Sequence, residues 1–114
     1  MSITRLHPGK RMSEIVIHND TIYLAGQVGN PGEDITAQTK TVLAEIEKLL
    51  AAAGSSKSKI LSAQIWLSDI RYFDAMNAVW DAWVDTDNPP TRATGQALLA
   101  GPEYLVEIII VAAK

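Results

Sequence analysis

The chain has 114 residues, of which 47% are hydrophobic and 20% charged, with a net charge of −3, as expected for one globular domain. The densest basic stretches, Lys10-Arg11 and 57–59, hold two charges each, which argues against binding nucleic acid or an acidic membrane surface. The absence of cysteine excludes disulfides, thiolate metal ligands and cysteine nucleophiles. Because the sequence has neither a signal-peptide core nor an apolar run of membrane-spanning length, we expect a cytoplasmic protein.

The N-terminal quarter of the sequence predicts a β-hairpin. Two segments rich in β-forming residues, Ser13 to Ile17 and Thr21 to Ala25, flank His18-Asn19-Asp20. Asn and Asp tolerate the positive φ angles of tight hairpin turns. An edge strand over Ile3 to Leu6 is expected before the hairpin.

A first amphipathic helix follows the loop from Gly29 to Asp34. Asp34 is the predicted N-cap, and Gly54 ends the helix at a position that favours a left-handed residue. The apolar stripe between them has three- and four-residue spacing, as a helix with one buried face requires. Its members are Ile35, Val42, Ile46, Leu49, Leu50 and Ala53.

A strand and a second helix make up the next segment. The strand from Ile60 to Ser68 alternates, and its predicted core face consists of Leu61, Ala63, Ile65 and Leu67. Asp69 is the predicted cap of the helix, which ends before Asn88-Pro89-Pro90 because proline cannot continue it. The helix carries an apolar stripe of Ile70, Phe73, Met76, Trp80 and Trp83.

Two last strands, Thr91 to Ala97 and Leu105 to Ala113, complete the order β-β-β-α-β-α-β-β. This order predicts a single α+β domain over residues 1–114, in which two helices pack on one face of one sheet. The last strand is apolar on both sides, with Leu105, Ile109 and Val111 on the side that the helices do not cover. Either loop residues cover that side at the sheet centre, or a neighbouring subunit covers it; we favour the subunit, because a large exposed apolar face is a liability.

Arg92 and Glu107 are the charged residues within these two strands. If the strands formed a hairpin, Arg92 could pair with Glu107, and Thr94 would lie opposite Leu105. Two interpretations remain open. The pair is a structural salt bridge, or Arg92 binds a substrate carboxylate while Glu107 handles a proton or a water molecule.

Four motifs together resemble the Rid family of reactive intermediate deaminases, also called YjgF-type or L-PSP-type proteins. They are GQVG at Gly26 to Gly29, the helical segment MNAVWDAW, the turn NPPTR and the VEI of Val106 to Ile108. The resemblance covers nearly the whole chain. Its most specific element is P-x-R followed, fifteen residues after the arginine, by a glutamate, here Arg92 and Glu107.

The resemblance implies a chorismate-mutase-like fold, a homotrimer with active sites in the clefts between subunits, and hydrolysis of 2-imino or 2-enamino acids without metal or organic cofactor. It implies that Arg92 grips the substrate carboxylate and that Glu107 activates the attacking water. The backbone carbonyl of Thr94 would help to hold that water, and the backbone at Gly26 would line the cleft.

Three positions depart from the family pattern. Met12 stands where active relatives have a tyrosine, Thr94 replaces a common cysteine, and Gly95 replaces a bulky apolar residue. These departures bear on the range of substrates more than on the fold. They also favour, to some extent, a rival function: a trimer that binds 2-oxo acids or acts as a chaperone without catalysing a reaction.

Other candidate sites and functions are weaker. His7 and His18 lack acidic or cysteine partners at metal-ligand spacing, so surface and turn roles are expected. Trp66, Trp80 and Trp83 could form a stacking platform, but packing in the core or an interface is the favoured interpretation. A ribonuclease conflicts with the acidic charge, and a chorismate-mutase-like isomerase would need more than one arginine for a dicarboxylate.

Overall fold

A computed structural model describes residues 2–114, which form a mixed β-sheet covered on one face by two helices. The α+β prediction is confirmed, and so is the predicted order of elements, to which the structure adds one short strand, β4. No helix within these residues is long and apolar enough to cross a membrane. The elements are β1 (Ile3–Pro8), β2 (Ser13–His18), β3 (Thr21–Leu24), β4 (Gln27–Val28), α1 (Ile35–Ala52), β5 (Ile60–Leu67), α2 (Phe73–Trp83), β6 (Thr91–Gln96) and β7 (Val106–Ala113).

The strands lie in the order β1-β2-β3-β7-β5-β6, and β4 also pairs with β7, beyond the end of β3. The predicted hairpin of the last two strands is therefore wrong, because β5 separates them. α2 carries the chain back along the sheet, so β6 lies parallel to β5, and β7 then pairs antiparallel with the other side of β5. The apolar β7 thus takes a central place, while the polar β6 forms an edge.

The first helix matches its sequence signals. Asp34 accepts a hydrogen bond from the backbone N–H of Ala37 at 2.8 Å, and Gly54 has φ of 80° just beyond the C-terminal end. The predicted apolar stripe of α1 is buried throughout. It packs over the sheet face that presents the alternate residues Val106, Ile108, Ile110 and Ala112 of β7, each with 0% exposure.

The second helix and β5 depart from the predicted patterns. Asp69 caps a short 3₁₀ turn, Ile70–Tyr72, and α2 begins only after it. Of the predicted stripe, Met76 and Trp80 are buried, whereas Ile70 and Phe73 are 48% and 37% exposed. In β5 a bulge shifts the register between Ile60 and Ser62, so Ile60 is buried and Leu61 is turned out.

The other face of the sheet is open in the single chain. Along β7 the residues Glu107, Ile109 and Val111 on this face are half-buried, alternating with the fully buried residues under the helices. Tyr23, beside Val111 on β3, is 48% exposed. Coverage of this open face by a neighbouring subunit stays a prediction.

Candidate functional site

Glu107 lies on the open face, near the start of the central strand β7. Its strand places it between Val28 of β4 and Trp66 of β5, and Trp66 in turn pairs with Gly95 of β6. Paired residues on neighbouring strands point to the same face, so this row runs across the open side of the sheet. Glu107 is the carboxylate in that row.

The backbone at Gly26 lies directly against the Glu107 side chain. A Cβ atom placed on Gly26 would collide with Oε2 of Glu107 and would lie 3.0 Å from its Cδ. Only glycine allows this approach without displacing the carboxylate. The structure therefore brings together two residues that the sequence motifs had placed in one site.

A β-bulge produces this contact. Tyr23 pairs with Val111, but Gln27 pairs with Ile108, so four steps along β3 and β4 match three along β7. One extra residue is thus inserted between β3 and β4, where Gly26 lies. Bulges of this kind turn the local backbone and occur often beside active sites.

The Glu107 carboxyl has a raised pKa, because partial burial removes water from its charged form. No cation offsets that burial: across residues 2–114 the ion pairs are Lys57–Glu47 and Arg71–Asp69. A half-buried carboxyl with a raised pKa and no partner can accept a proton near neutral pH more readily than an ordinary glutamate.

Arg92 lies on the opposite face of the sheet. It pairs with the buried Ala63 on the side covered by the helices, and its Cζ lies over the rings of Phe73 and Trp80. Ala63 also pairs with Ile110, three residues from Glu107 on β7. The two Cα atoms are therefore about 14 Å apart, as the spacing of strands and residues in a sheet requires. The predicted pairing of Arg92 with Glu107 within one chain is wrong, and with it the structural salt bridge.

The backbone of Thr94 faces the free edge of β6. Ala97 donates its N–H to the carbonyl of Leu67 on β5. Because successive residues of a strand direct their N–H and C=O groups to alternating sides, the groups of Arg92, Thr94 and Gln96 point away from β5. The Thr94 carbonyl is thus presented at the same sheet edge as Arg92, where it is free to accept a hydrogen bond.

Gln38 is a supporting residue that the sequence analysis missed. Its fully buried amide donates to the carbonyls of Glu33 and Glu103 and accepts from the N–H of Leu105, all at 2.9 Å. These bonds fix the backbone segment that leads into β7. They therefore help to position Glu107, which follows Leu105 by two residues. A glutamine among the buried positions of a largely apolar helix face was the signal present in the sequence.

Two of the positions that depart from the family pattern, Met12 and Gly95, differ in their surroundings. Met12 lies in the turn between β1 and β2 and is 50% exposed. A Cβ atom at Gly95 would meet nothing within 4 Å, and Gly95 lacks the positive φ of Gly32 and Gly54. Neither packing nor backbone conformation requires glycine at this position, which leaves open space beside Trp66.

Comparisons with known proteins identify relatives that share this fold. A family model described as Endoribonuclease L-PSP matches residues 2–114. A RutC family protein from Haemophilus influenzae is 50% identical over 114 residues, which cover 98% of each chain. The crystal structure of a YjgF family member from Neisseria meningitidis superposes with a TM-score of 0.98 at 45% identity, over 100% of this chain and 96% of that one.

A more distant relative carries the name of an activity. The goat (Capra hircus) protein called 2-iminobutanoate/2-iminopropanoate deaminase is 32% identical over 109 residues, covering 87% of this chain and 78% of the goat protein.

Proposed function

Because this chain belongs to the L-PSP family, which includes the YjgF and RutC proteins, we propose that it hydrolyses 2-imino acids and their 2-enamino tautomers to 2-oxo acids and ammonia. The family membership agrees with the resemblance found in the sequence motifs. The named activity of the goat relative supports the reaction class. We assign the chemistry to Glu107 and Arg92.

One observation carries the proposal: Glu107 and Arg92 have no ion-pair partner within residues 2–114, and the two groups cannot meet within one copy. Glu107 lies on the open face, and Arg92 lies at a free edge on the other side of the sheet. If the β6 edge of one copy packs against the open face of the next, the two groups can border one cleft. A closed ring of three copies repeats this head-to-tail contact. The proposed assembly is a homotrimer with sites between subunits.

The roles follow from the chemistry of each group. The planar guanidinium of Arg92 binds the substrate carboxylate through two N–H donors and so orients the imine. The carboxylate of Glu107 takes a proton from water, and the hydroxyl oxygen adds to the imine carbon while the C=N electron pair moves to nitrogen. Glu107 returns this proton to the nitrogen, which gives a neutral tetrahedral intermediate with a hydroxyl and an amino group. The hydroxyl proton then moves to the nitrogen by way of Glu107, the C–N bond breaks to release ammonia, and the carbonyl of the 2-oxo acid forms.

Two backbone positions support the water. The Thr94 carbonyl, which lies at the same edge as Arg92, accepts a hydrogen bond from the attacking water. Gly26 lets its own backbone lie against Glu107, which keeps the carboxylate in one place and narrows the cleft around it. Positioning of this kind is a large part of catalysis in a site that uses no covalent intermediate.

The test measures turnover directly. An amino acid oxidase generates 2-iminopropanoate or 2-iminobutanoate in situ, and the loss of imine is followed with and without the protein. We expect acceleration over buffer, and we expect Glu107→Gln to lower turnover by ~10²–10⁴-fold, the usual cost of losing a general base, while 2-oxo acid binding survives. A wild-type protein that binds a 2-oxo acid but accelerates no small imine would be a binding protein instead of a deaminase.

A further inference from the structure

Two aromatic rings of α2 lie beneath the guanidinium of Arg92. The Cζ atom is 5.5 Å from the ring centroid of Trp80 and 5.8 Å from that of Phe73. Both distances lie within the ~6 Å at which a cation is attracted to the face of an aromatic ring. Phe73 and Trp80 are separated by two helical turns, so they share one face of α2.

The rings hold the guanidinium without competing for its donors. A carboxylate partner would occupy the N–H fork, whereas attraction to a ring face acts on the plane of the group. No carboxylate lies within salt-bridge distance of Arg92 in residues 2–114, so its fork stays available. The arrangement restrains a long side chain and leaves it able to bind a carboxylate.

The two rings differ in burial. Trp80 is 5% exposed and belongs to the core, while Phe73 is 37% exposed at the start of the helix. Trp80 therefore makes a buried, fixed contact with the guanidinium, whereas Phe73 makes a partly exposed contact that a ligand can approach. We propose that Phe73 and Trp80 are positioning residues that keep Arg92 ordered for the substrate carboxylate. This inference rests on the proposed function of Arg92.

Phe73 allows the sharper experiment, because substitution of the buried Trp80 risks the fold. We expect Phe73→Leu to raise both the KM for imine and the dissociation constant for pyruvate about two- to fivefold, the range of one partly exposed cation–π contact. Phe73→Tyr keeps a ring and should retain most of the affinity. Trp83→Phe is a control on the same helix: the Trp83 ring contacts Lys57 instead of Arg92, and phenylalanine keeps a ring to pack against Trp80, whose centroid lies 5.4 Å from that of Trp83.

A double-mutant cycle separates positioning from simple packing. In an Arg92→Ala background, Phe73→Leu should cause no further loss of pyruvate binding, because the side chain it restrains is gone. A loss of equal size in both backgrounds would overturn the inference, as would unchanged binding in Phe73→Leu alone.

A measurement on the free protein completes the test. Ring currents should shift the Arg92 Cδ and Nε proton signals upfield, and Phe73→Leu should reduce that shift; unchanged signals would contradict the contact.

The outcomes for the two proposals are distinct. Wild-type protein that binds pyruvate, loses affinity in Phe73→Leu and hydrolyses no imine would retain the inference and reject the deaminase. Wild-type protein that hydrolyses imines, together with unchanged binding in Phe73→Leu, would support the deaminase and reject the inference.

Discussion

The contact between Gly26 and the carboxylate of Glu107 is the tightest constraint on a single residue in the site. Both residues were identified from sequence motifs, but their contact depends on a β-bulge between β3 and β4 that no local sequence pattern predicts. Periodicity correctly placed Glu107 on the side of β7 away from the helices. It could not show that a backbone from a distant strand would press against the carboxylate.

A methyl group at Gly26 tests this contact. The atom it would meet is the end of a flexible side chain, so Gly26→Ala should cost little stability, about 1 kcal/mol or less, as Glu107 swings away. Turnover should fall about 10²-fold, because the base is displaced by an ångström or more. Thermal unfolding and the imine assay, run on the same preparation, measure the two effects. Full activity would show that the position of Glu107 is unimportant.

The raised pKa of Glu107 predicts a pH dependence of stability. Burial favours the protonated form, so the folded chain binds this proton more tightly than the unfolded chain does. The associated stability is present below the unfolded pKa, about 4.3, and is lost as pH rises through the higher folded pKa. Glu107→Gln removes this titration. The difference in Tm, variant minus wild type, should therefore increase from about pH 4 upward and then level off. A difference that decreases over that range would contradict burial as the cause of the raised pKa.

At the scale of elements, the sequence predicted which segments form strands and helices better than it predicted their partners. The apolar stripe of α1 and its caps were visible because they depend on residues a few positions apart. The pairing of β6 was not, because the β5–α2–β6 crossover sets it over a long range. The two-sided apolar pattern of β7 agrees with its central place in the sheet and the polar residues of β6 agree with its place at an edge, but the edge position of β6 was not predicted.

Gln38 links an element to the site, and its removal should show this. Gln38→Leu removes the three hydrogen bonds that this fully buried amide makes with the backbone of Glu33, Glu103 and Leu105, which should cost about 2–4 kcal/mol of unfolding free energy. Thr39→Val is a matched control, because Thr39 is equally buried but bonds only within its helix, to the Ile35 carbonyl. We expect it to cost about 1 kcal/mol or less. Urea unfolding that gave equal losses for both would contradict the role assigned to Gln38.

At the scale of the whole molecule, we expect the apolar residues on the open face of the sheet to be covered by another copy of the chain. Ile109 and Val111 are only half-buried there, and Tyr23 lies exposed beside them. We expect light scattering to give about 37 kDa, three copies of a 12.4 kDa chain. Val111→Asp should shift the protein towards monomer by placing a charge in the apolar interface. A wild-type monomer mass in dilute solution would remove the intersubunit cleft.

The central claim is that Arg92 of one copy and Glu107 of another complete each site, and mixing two inactive variants tests it most directly. Arg92→Ala and Glu107→Gln are each expected to be inactive as pure trimers. After the subunits are mixed equally and exchanged, a site with both native residues forms wherever an intact arginine meets an intact glutamate across an interface. Random assembly into closed rings gives such a site at about a quarter of the interfaces, so about a quarter of wild-type activity should return. If activity stays at the level of the separate variants after exchange is shown to be complete, the two residues do not meet between subunits, and the proposed site is wrong.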